Sequence, residues 1–212
     1  MRKWLPLSIV VASLAFSAAI FDRLPERMAI HWGPDGQPDG FGPRAFGAFG
    51  LPAMMLLLWG IMAVVPRLDP RRANIEQFRD SYDLLVAAVV AVLAIIHVAV
   101  IGTALGWPVS VGRVAPLAIG LLFVIIGIML PRFRSNFFVG IRTPWTLSSE
   151  MVWVKTHRVG GYMLVGLGVV LLGAALLNSA TWLYVIIGGG FLLVATVLGY
   201  SYWAWKQEQG PT

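Results

Sequence analysis

The sequence predicts an all-α integral membrane protein: a bundle of six transmembrane helices with both termini in the cytoplasm. The chain of 212 residues is 58% hydrophobic and only 12% charged, a composition typical of membrane proteins. Six apolar runs approach or exceed the roughly 20 residues that cross a bilayer core as a helix. The chain has no cysteine, which excludes disulfides, thiol catalysis and cysteine-ligated zinc.

The six predicted spans are joined by polar connections, and none of them contains Lys, Arg, Asp or Glu. We place them at Trp4–Phe21, Phe46–Val65, Leu84–Leu105, Val114–Leu130, Val159–Leu177 and Trp182–Trp203. The first resembles a secretory signal, but its apolar run is long for one, so we interpret it as a span. Glycines are frequent in the last two spans and predict that these helices pack closely on each other.

The distribution of basic residues predicts the orientation of the bundle. Twelve of the sixteen Lys and Arg residues fall on the side of the two termini, and four, Arg23, Arg27, Arg44 and Arg113, fall on the other side. Cytoplasmic connections are enriched in Lys and Arg, so both termini are predicted to be cytoplasmic. The net charge of +6 is thereby explained by topology, and we expect no direct binding of nucleic acid.

Two connections are long enough to carry function, an outer loop of residues 22–45 and an inner loop of residues 131–158. We divide the chain into an N-terminal domain of residues 1–82, with two spans and the outer loop, and a second domain of residues 83–212, with four spans and the inner loop. The N-terminal domain also holds a shorter inner loop at 66–83. Its mixed charges predict a solvated helical hairpin.

The outer loop contains Pro-Asp-Gly twice, at 34–36 and 38–40. Such triplets favour tight turns, so we expect a folded cap. His31, Asp35 and Asp39 are metal ligands by type. However, a single His at a spacing unlike that of an EF-hand favours turn-capping carboxylates instead. We therefore predict no metal and no other cofactor.

His97 lies in the middle of the third predicted span. A polar ionisable group at that depth indicates function unless it is partnered. We favour a packing residue whose ring bonds to Ser or Thr hydroxyls of neighbouring helices. A small transporter or channel is an alternative function, and a metal-dependent membrane hydrolase built on His31 or His157 is a less favoured one.

The inner loop contains a helix break followed by a helix start. Pro144 disfavours a helical conformation in the residue before it. One of the two serines before Glu150 can cap a new helix, with Glu150 at the positive end of the helix dipole. In that helix Glu150, Trp153 and His157 share one face. This pattern predicts an amphipathic interfacial segment that places Trp at the lipid headgroups and leads into the fifth span.

An ordered motif in the inner loop resembles the signature of the SdpI family of bacterial immunity proteins. The motif comprises Asn136, Gly140, Arg142, Thr143, Pro144, Trp145, Glu150, Trp153, Thr156 and His157. The outer loop, with Ile30-His31-Trp32, Gly36 and Asp39, looks like the companion domain of unknown function that usually precedes this signature. One departure is Gly33, where an Asn is more usual. Together the resemblance covers nearly the whole chain.

The resemblance implies a non-enzymatic protein of the bacterial cytoplasmic membrane. Its relatives protect the cell against a secreted peptide toxin, and some relay the toxin's presence to a cytoplasmic transcriptional repressor. The implied partners are thus a toxin, membrane lipids and a repressor. Mapped onto this chain, His31, Trp32, Asp35 and Asp39 would meet the ligand, and the inner motif would report occupancy. We expect Arg142 to pair with Glu150 or a lipid phosphate, and His157 to bond to a neighbouring loop.

Overall fold

The computed structural model describes residues 2–177 and 181–210. Within these residues, six helices are long and apolar enough to cross a membrane, which confirms the predicted all-α, six-span fold. They are α1 (Leu5–Ile20), α2 (Arg44–Leu68), α4 (Arg79–Ala104), α5 (Val111–Met129), α7 (Glu150–Leu176) and α8 (Trp182–Glu208). The shorter elements are strands β1 (Arg27–Trp32) and β2 (Pro38–Pro43) and helices α3 (Arg72–Gln77) and α6 (Pro144–Ser148).

Two spanning helices begin well before the apolar runs that predicted them. Helix α4 starts at Arg79 rather than Leu84, and its polar first turn is held by an ion pair of 3.0 Å between Arg79 and Asp83. Helix α7 starts at Glu150, where the Ser149 hydroxyl caps the backbone N–H of Val152. The predicted interfacial segment is therefore not separate, because it forms the first turns of the fifth span.

The predicted folded cap on the outer side is a β-hairpin. Strands β1 and β2 pair antiparallel, and the connecting turn uses a positive φ of 76° at Gly36. The backbone N–H of Gln37 donates to the Asp35 carboxylate at 3.0 Å. Met28, only 1% exposed, anchors the hairpin against α2. At the turn, a Cβ added to Gly36 would lie 3.2 Å from the Cα of Gly112, so the hairpin tip rests on the first turn of α5.

The closest helix packing joins α5 to α7. A Cβ placed on Gly168 would lie 2.6 Å from the carbonyl oxygen of Gly120, and one placed on Gly161 would lie equally close to that of Gly127. Only glycine permits this approach of the two backbones. Helix α8 also packs on α7, as predicted for the last two spans, with the Leu167 side chain of α7 lying against Gly189 of α8. The closest backbone approach, however, is between the fourth and fifth spans, which the sequence did not predict.

The buried apolar residues form a large cluster at each end of the bundle. The inner cluster surrounds Tyr82, Phe133 and Trp153 and includes residues of α2, α3, α4 and α7. The outer cluster lies beneath the hairpin and includes Leu24, Met28, Ile101 and Val111. The hairpin and the loop before α6 are thus each anchored to a packed end of the bundle.

Candidate functional site

Asn136 holds a tight turn in the inner loop. Its side chain is fully buried. The amide oxygen accepts from the backbone N–H groups of Phe138 and Val139 at 3.0 and 2.7 Å, and the amide nitrogen donates to the carbonyls of Arg134 and Val139 at 2.8 and 2.9 Å. Because every hydrogen-bonding position of the amide is used for the turn, the exposed rings of Phe137 and Phe138 are presented at a fixed tip.

His157 ties the inner loop to α7. Its Nδ1 lies 2.8 Å from the carbonyl oxygen of Trp153, which only accepts, so Nδ1 carries the proton. Nε2 is then the bare nitrogen and accepts the backbone N–H of Ile141 at 3.0 Å. The rings of Trp153 and His157 stack with centroids 4.0 Å apart, and the Trp153 indole donates to the Phe133 carbonyl at 2.8 Å. Gly140 has a φ of 113°, and a Cβ there would collide with the imidazole.

The Thr-Pro-Trp-Thr part of the motif builds α6 and joins it to α8. The Thr143 hydroxyl accepts from the backbone N–H of Thr146, and the Thr146 hydroxyl accepts from that of Thr143, so the two form a capping box around Pro144. Thr143 also donates to the Ser201 hydroxyl of α8 at 3.1 Å. The Trp145 ring packs on Tyr202 of the same helix, with centroids 5.2 Å apart.

The structure corrects two expectations about charged and aromatic residues of the motif. Arg142 does not pair with Glu150, since its guanidinium donates to the Phe137 carbonyl at 2.8 Å, and the carboxylate of Glu150 lies 4.0 Å from Arg134. Trp153 is fully buried and does not lie at the headgroups. Thr156 is also fully buried, and its hydroxyl has no partner among the described residues.

The 66–83 loop is part of the inner site, which the sequence did not predict. Asp69 is only 2% exposed. One of its carboxylate oxygens accepts from the backbone N–H of Arg71 at 2.7 Å, and the other accepts from that of Phe137 at 2.9 Å. The prediction of a solvated hairpin was therefore wrong for Asp69. Its buried carboxylate acts as a clamp, because it binds the backbone of Phe137 at the tip of the inner loop.

Two neighbours of Asp69 extend this clamp. The guanidinium of Arg71 donates to the Ser135 hydroxyl and, at 3.0 Å, to the Leu147 carbonyl. The Asn74 amide donates to the Ser135 carbonyl at 2.7 Å. The contacts join segments more than sixty residues apart, and a mixed-charge sequence pattern alone does not distinguish such a clamp from a solvated face.

The outer hairpin covers an apolar cavity of about 390 Å³. The cavity lies among the outer ends of α2, α4, α5 and α8, and its walls include His31, Trp32, Leu51, Val100, Val111 and Trp182. Two predicted ligand-contacting residues, His31 and Trp32, thus line it. Its volume and mostly apolar walls are typical of a binding site for an apolar group.

The other two predicted outer-loop residues lie beside the cavity rather than in its wall. The Asp39 carboxylate lies 2.5 Å from His31 Nδ1, in an exposed pair, whereas Asp35 caps the hairpin turn. A Cβ on Gly33 would lie 2.9 Å from an Asp35 carboxylate oxygen and 3.3 Å from one of Asp39. An Asn at that position would therefore require the Asp35 carboxylate to move. Among the described residues, no group of three or more His, Cys, Asp or Glu side chains is placed to hold a metal ion.

His97 is a buried packing residue, as the sequence predicts, but only its Nε2 is hydrogen-bonded, because Nδ1 has no partner among the described residues. It is fully buried, and its Nε2 lies 2.9 Å from the Ser17 hydroxyl and 3.1 Å from the Ala48 carbonyl. The Ser17 hydroxyl in turn donates to the Ala48 carbonyl at 2.6 Å. This triangle links α1, α2 and α4 near the ends of the helices that lie towards the hairpin.

Comparison with known proteins agrees with the resemblance in the sequence. Residues 132–201 match the model of the SdpI/YfhL protein family, and residues 8–56 match DUF1648, a domain of unknown function. Immunity protein SdpI of Bacillus subtilis (strain 168) is 26% identical to this chain over 183 residues, which is 85% of this chain and 84% of that protein. No solved structure matches the chain. The two matched regions contain the inner motif and the outer hairpin, respectively.

Proposed function

We propose that this SdpI/YfhL family protein, a multi-pass protein of a bacterial membrane, protects the cell from a secreted antimicrobial peptide. The similarity to immunity protein SdpI extends over 85% of the chain and carries this proposal. As part of this proposal, the protein is not an enzyme, as the sequence predicts. We further propose that the hairpin faces the cell exterior and both termini the cytoplasm, as the basic residues indicate.

The outer cavity is the proposed site for the peptide. A peptide that attacks membranes carries apolar side chains, and burying apolar surface stabilises a complex by about 25 cal/mol per Å². The walls from Leu51, Val100 and Val111 supply such surface. At the hairpin, the exposed His31 and Asp39 pair offers polar contacts to the peptide backbone. The cavity thus combines apolar walls with a few polar groups, which is the usual make-up of a ligand site.

We propose that binding of a peptide in this cavity changes the conformation of the inner loop through α5 and α7. Val111 and Gly112, which line the cavity, begin α5. Helix α5 lies against α7 in backbone contact, and α7 carries His157, which holds Ile141 of the loop. A ligand changes such an arrangement only by binding one of two states better. The exposed Phe137, Phe138 and Arg142 then form the proposed surface for a cytoplasmic repressor.

Protection is tested by expressing the chain in a sensitive strain that lacks its own immunity gene. The cells are exposed to the sporulation-delaying peptide toxin and to a panel of other membrane-active bacterial peptides, and survival is counted. Wild type is expected to raise survival for at least one peptide. Gly50→Leu, which fills the cavity, should remove that protection. Gly60→Leu is the matched control, because Gly60 lies in the same helix, outside the cavity and in open space.

The outcomes separate the function from its site. If wild type protects against no peptide in the panel, the immunity proposal is rejected. If wild type protects and both glycine variants protect equally well, the cavity is not the site. The relay, which is the proposed coupling of the cavity to the inner loop, is measured as the change in hydrogen exchange of residues 134–142 when the protective peptide is added. Unchanged exchange in wild type would contradict the relay, whereas a change that Gly50→Leu abolishes would support it.

A further inference from the structure

We propose that a second cavity, between the inner ends of α1, α2 and α4, binds the headgroup of an anionic phospholipid. The cavity has a volume of about 230 Å³, and its lining includes no residue of the 131–158 loop or of the outer cavity. Its basic residues are Lys3 before α1, Arg67 at the end of α2 and Arg79 at the start of α4. These three cations come from three segments and converge on one space.

The lining changes from charged to apolar along the helix axes. In α2 it runs from Arg67 to Trp59, and in α4 from Arg79 to Val86. At 1.5 Å per residue these stretches span about 10–12 Å. This depth matches a phosphate-containing headgroup together with the first carbons of its acyl chains. A free phosphate ion would use only the charged end, so the graded lining favours a lipid.

The charges of the cavity are not balanced within the protein. Arg79 is engaged by Asp83, the one acidic residue in the lining, at 3.0 Å and by Glu76, outside the lining, at 3.3 Å. Arg67 and Lys3, by contrast, form no ion pair with any residue that the structure describes, and the Lys3 ammonium lies 5.5 Å from the centre of the Trp4 ring. The two free cations attract an anion, and basic pockets between membrane helices are known to accept acidic lipid headgroups.

Aromatic residues complete a site suited to the membrane interface. Trp4 and Trp59 both line the cavity, and indole rings are enriched where lipid headgroups meet the hydrocarbon core. The Tyr82 hydroxyl donates to the Met62 carbonyl at 2.6 Å, so that hydroxyl is already satisfied within the protein. The free charged donors that remain are thus Lys3 and Arg67, which suit a phosphodiester.

The test compares lipid retention by the purified full chain in native mass spectrometry. Detergent-solubilised protein is incubated with phosphatidylglycerol or with phosphatidylcholine of the same acyl chains, and with inorganic phosphate as a third arm. Wild type should retain phosphatidylglycerol preferentially. Lys3→Gln/Arg67→Gln should reduce that preference about fivefold or more, since each cation near a membrane surface contributes to anionic lipid binding. Arg72→Gln/Lys155→Gln removes two exposed charges of the same side outside the cavity and should change little.

Three results would overturn the proposal. The first is equal retention of the two lipids by wild type. The second is an equal loss of preference in the control double variant, which would indicate general surface charge rather than a site. The third is full displacement of phosphatidylglycerol by inorganic phosphate at equal concentration, which would indicate a phosphate ion as the ligand. Folding of the variants is checked by thermal unfolding in a detergent without lipid.

Discussion

The backbone N–H of Ile141 donates to Nε2 of His157 across a distance of 3.0 Å. His157 is fully buried, and its other ring nitrogen is committed to the Trp153 carbonyl. The neutral ring therefore links an extended loop segment to the helix that follows it, and its tautomer is fixed by the two partners. Protonation of Nε2 would remove the acceptor and release Ile141, so the loop requires the uncharged form of this histidine.

His157→Ala is expected to destabilise the protein by about 2–4 kcal/mol, because it opens a cavity beside Trp153 and leaves the N–H of Ile141 without a partner. Thermal unfolding in detergent measures the loss, and limited proteolysis should show new cleavage between residues 134 and 142. Lys155→Ala, an exposed change in the same helix, serves as the control. Equal melting temperatures for the two variants would contradict the structural role of His157.

Asp69→Ala is expected to loosen the tip of the inner loop. The substitution leaves the backbone N–H groups of Arg71 and Phe137 without the carboxylate, which costs about 1–3 kcal/mol for each group that stays buried. Hydrogen exchange at residues 135–140 should become faster. Asp80→Ala, at an exposed position near the same loop, should leave that exchange unchanged. Unaltered exchange in the Asp69 variant would show that the clamp does not order the tip.

Gly168→Val and Gly173→Val provide a matched pair within α7. A side chain at Gly168 would meet the Gly120 carbonyl of α5, whereas one at Gly173 has open space around it. Forcing the two backbones apart is expected to cost about 1–3 kcal/mol or more, so the Gly168 variant should melt several degrees lower than the Gly173 variant. The same melting temperature in both would mean that the α5–α7 contact tolerates separation.

The orientation is testable because the chain has no native cysteine. Gln37→Cys lies in the exposed hairpin turn, and Gln77→Cys lies at the exposed end of α3. In right-side-out vesicles, a membrane-impermeant maleimide should label the first variant and should label the second only after permeabilisation. The reverse pattern would invert the predicted topology, and labelling of both variants in sealed vesicles would show that α2, the span between the two positions, does not cross the membrane.

Several features follow from the sequence because their causes are local. A helix must present about 20 apolar residues to cross a bilayer, so runs of that length predicted six spans. The two serines before Glu150, and Glu150 itself, predicted a helix start through capping and the helix dipole, and the structure assigns the cap to Ser149. The Pro-Asp-Gly repeats predicted a turn-rich outer cap. The family resemblance could be identified from the inner motif, because a sequence motif is defined only by the order of residues along the chain.

The tertiary structure alone decided which distant groups meet. The Asp69 carboxylate reaches the backbone of Phe137, 68 residues away, and the Ser17 hydroxyl reaches His97, 80 residues away. Trp153 faces the core rather than lipid because other segments pack over its face of α7. The choice of α5 as the closest partner of α7 likewise depends on packing between helices. These arrangements depend on how the spans pack in three dimensions, and the hydropathy of each span, taken separately, does not encode that packing.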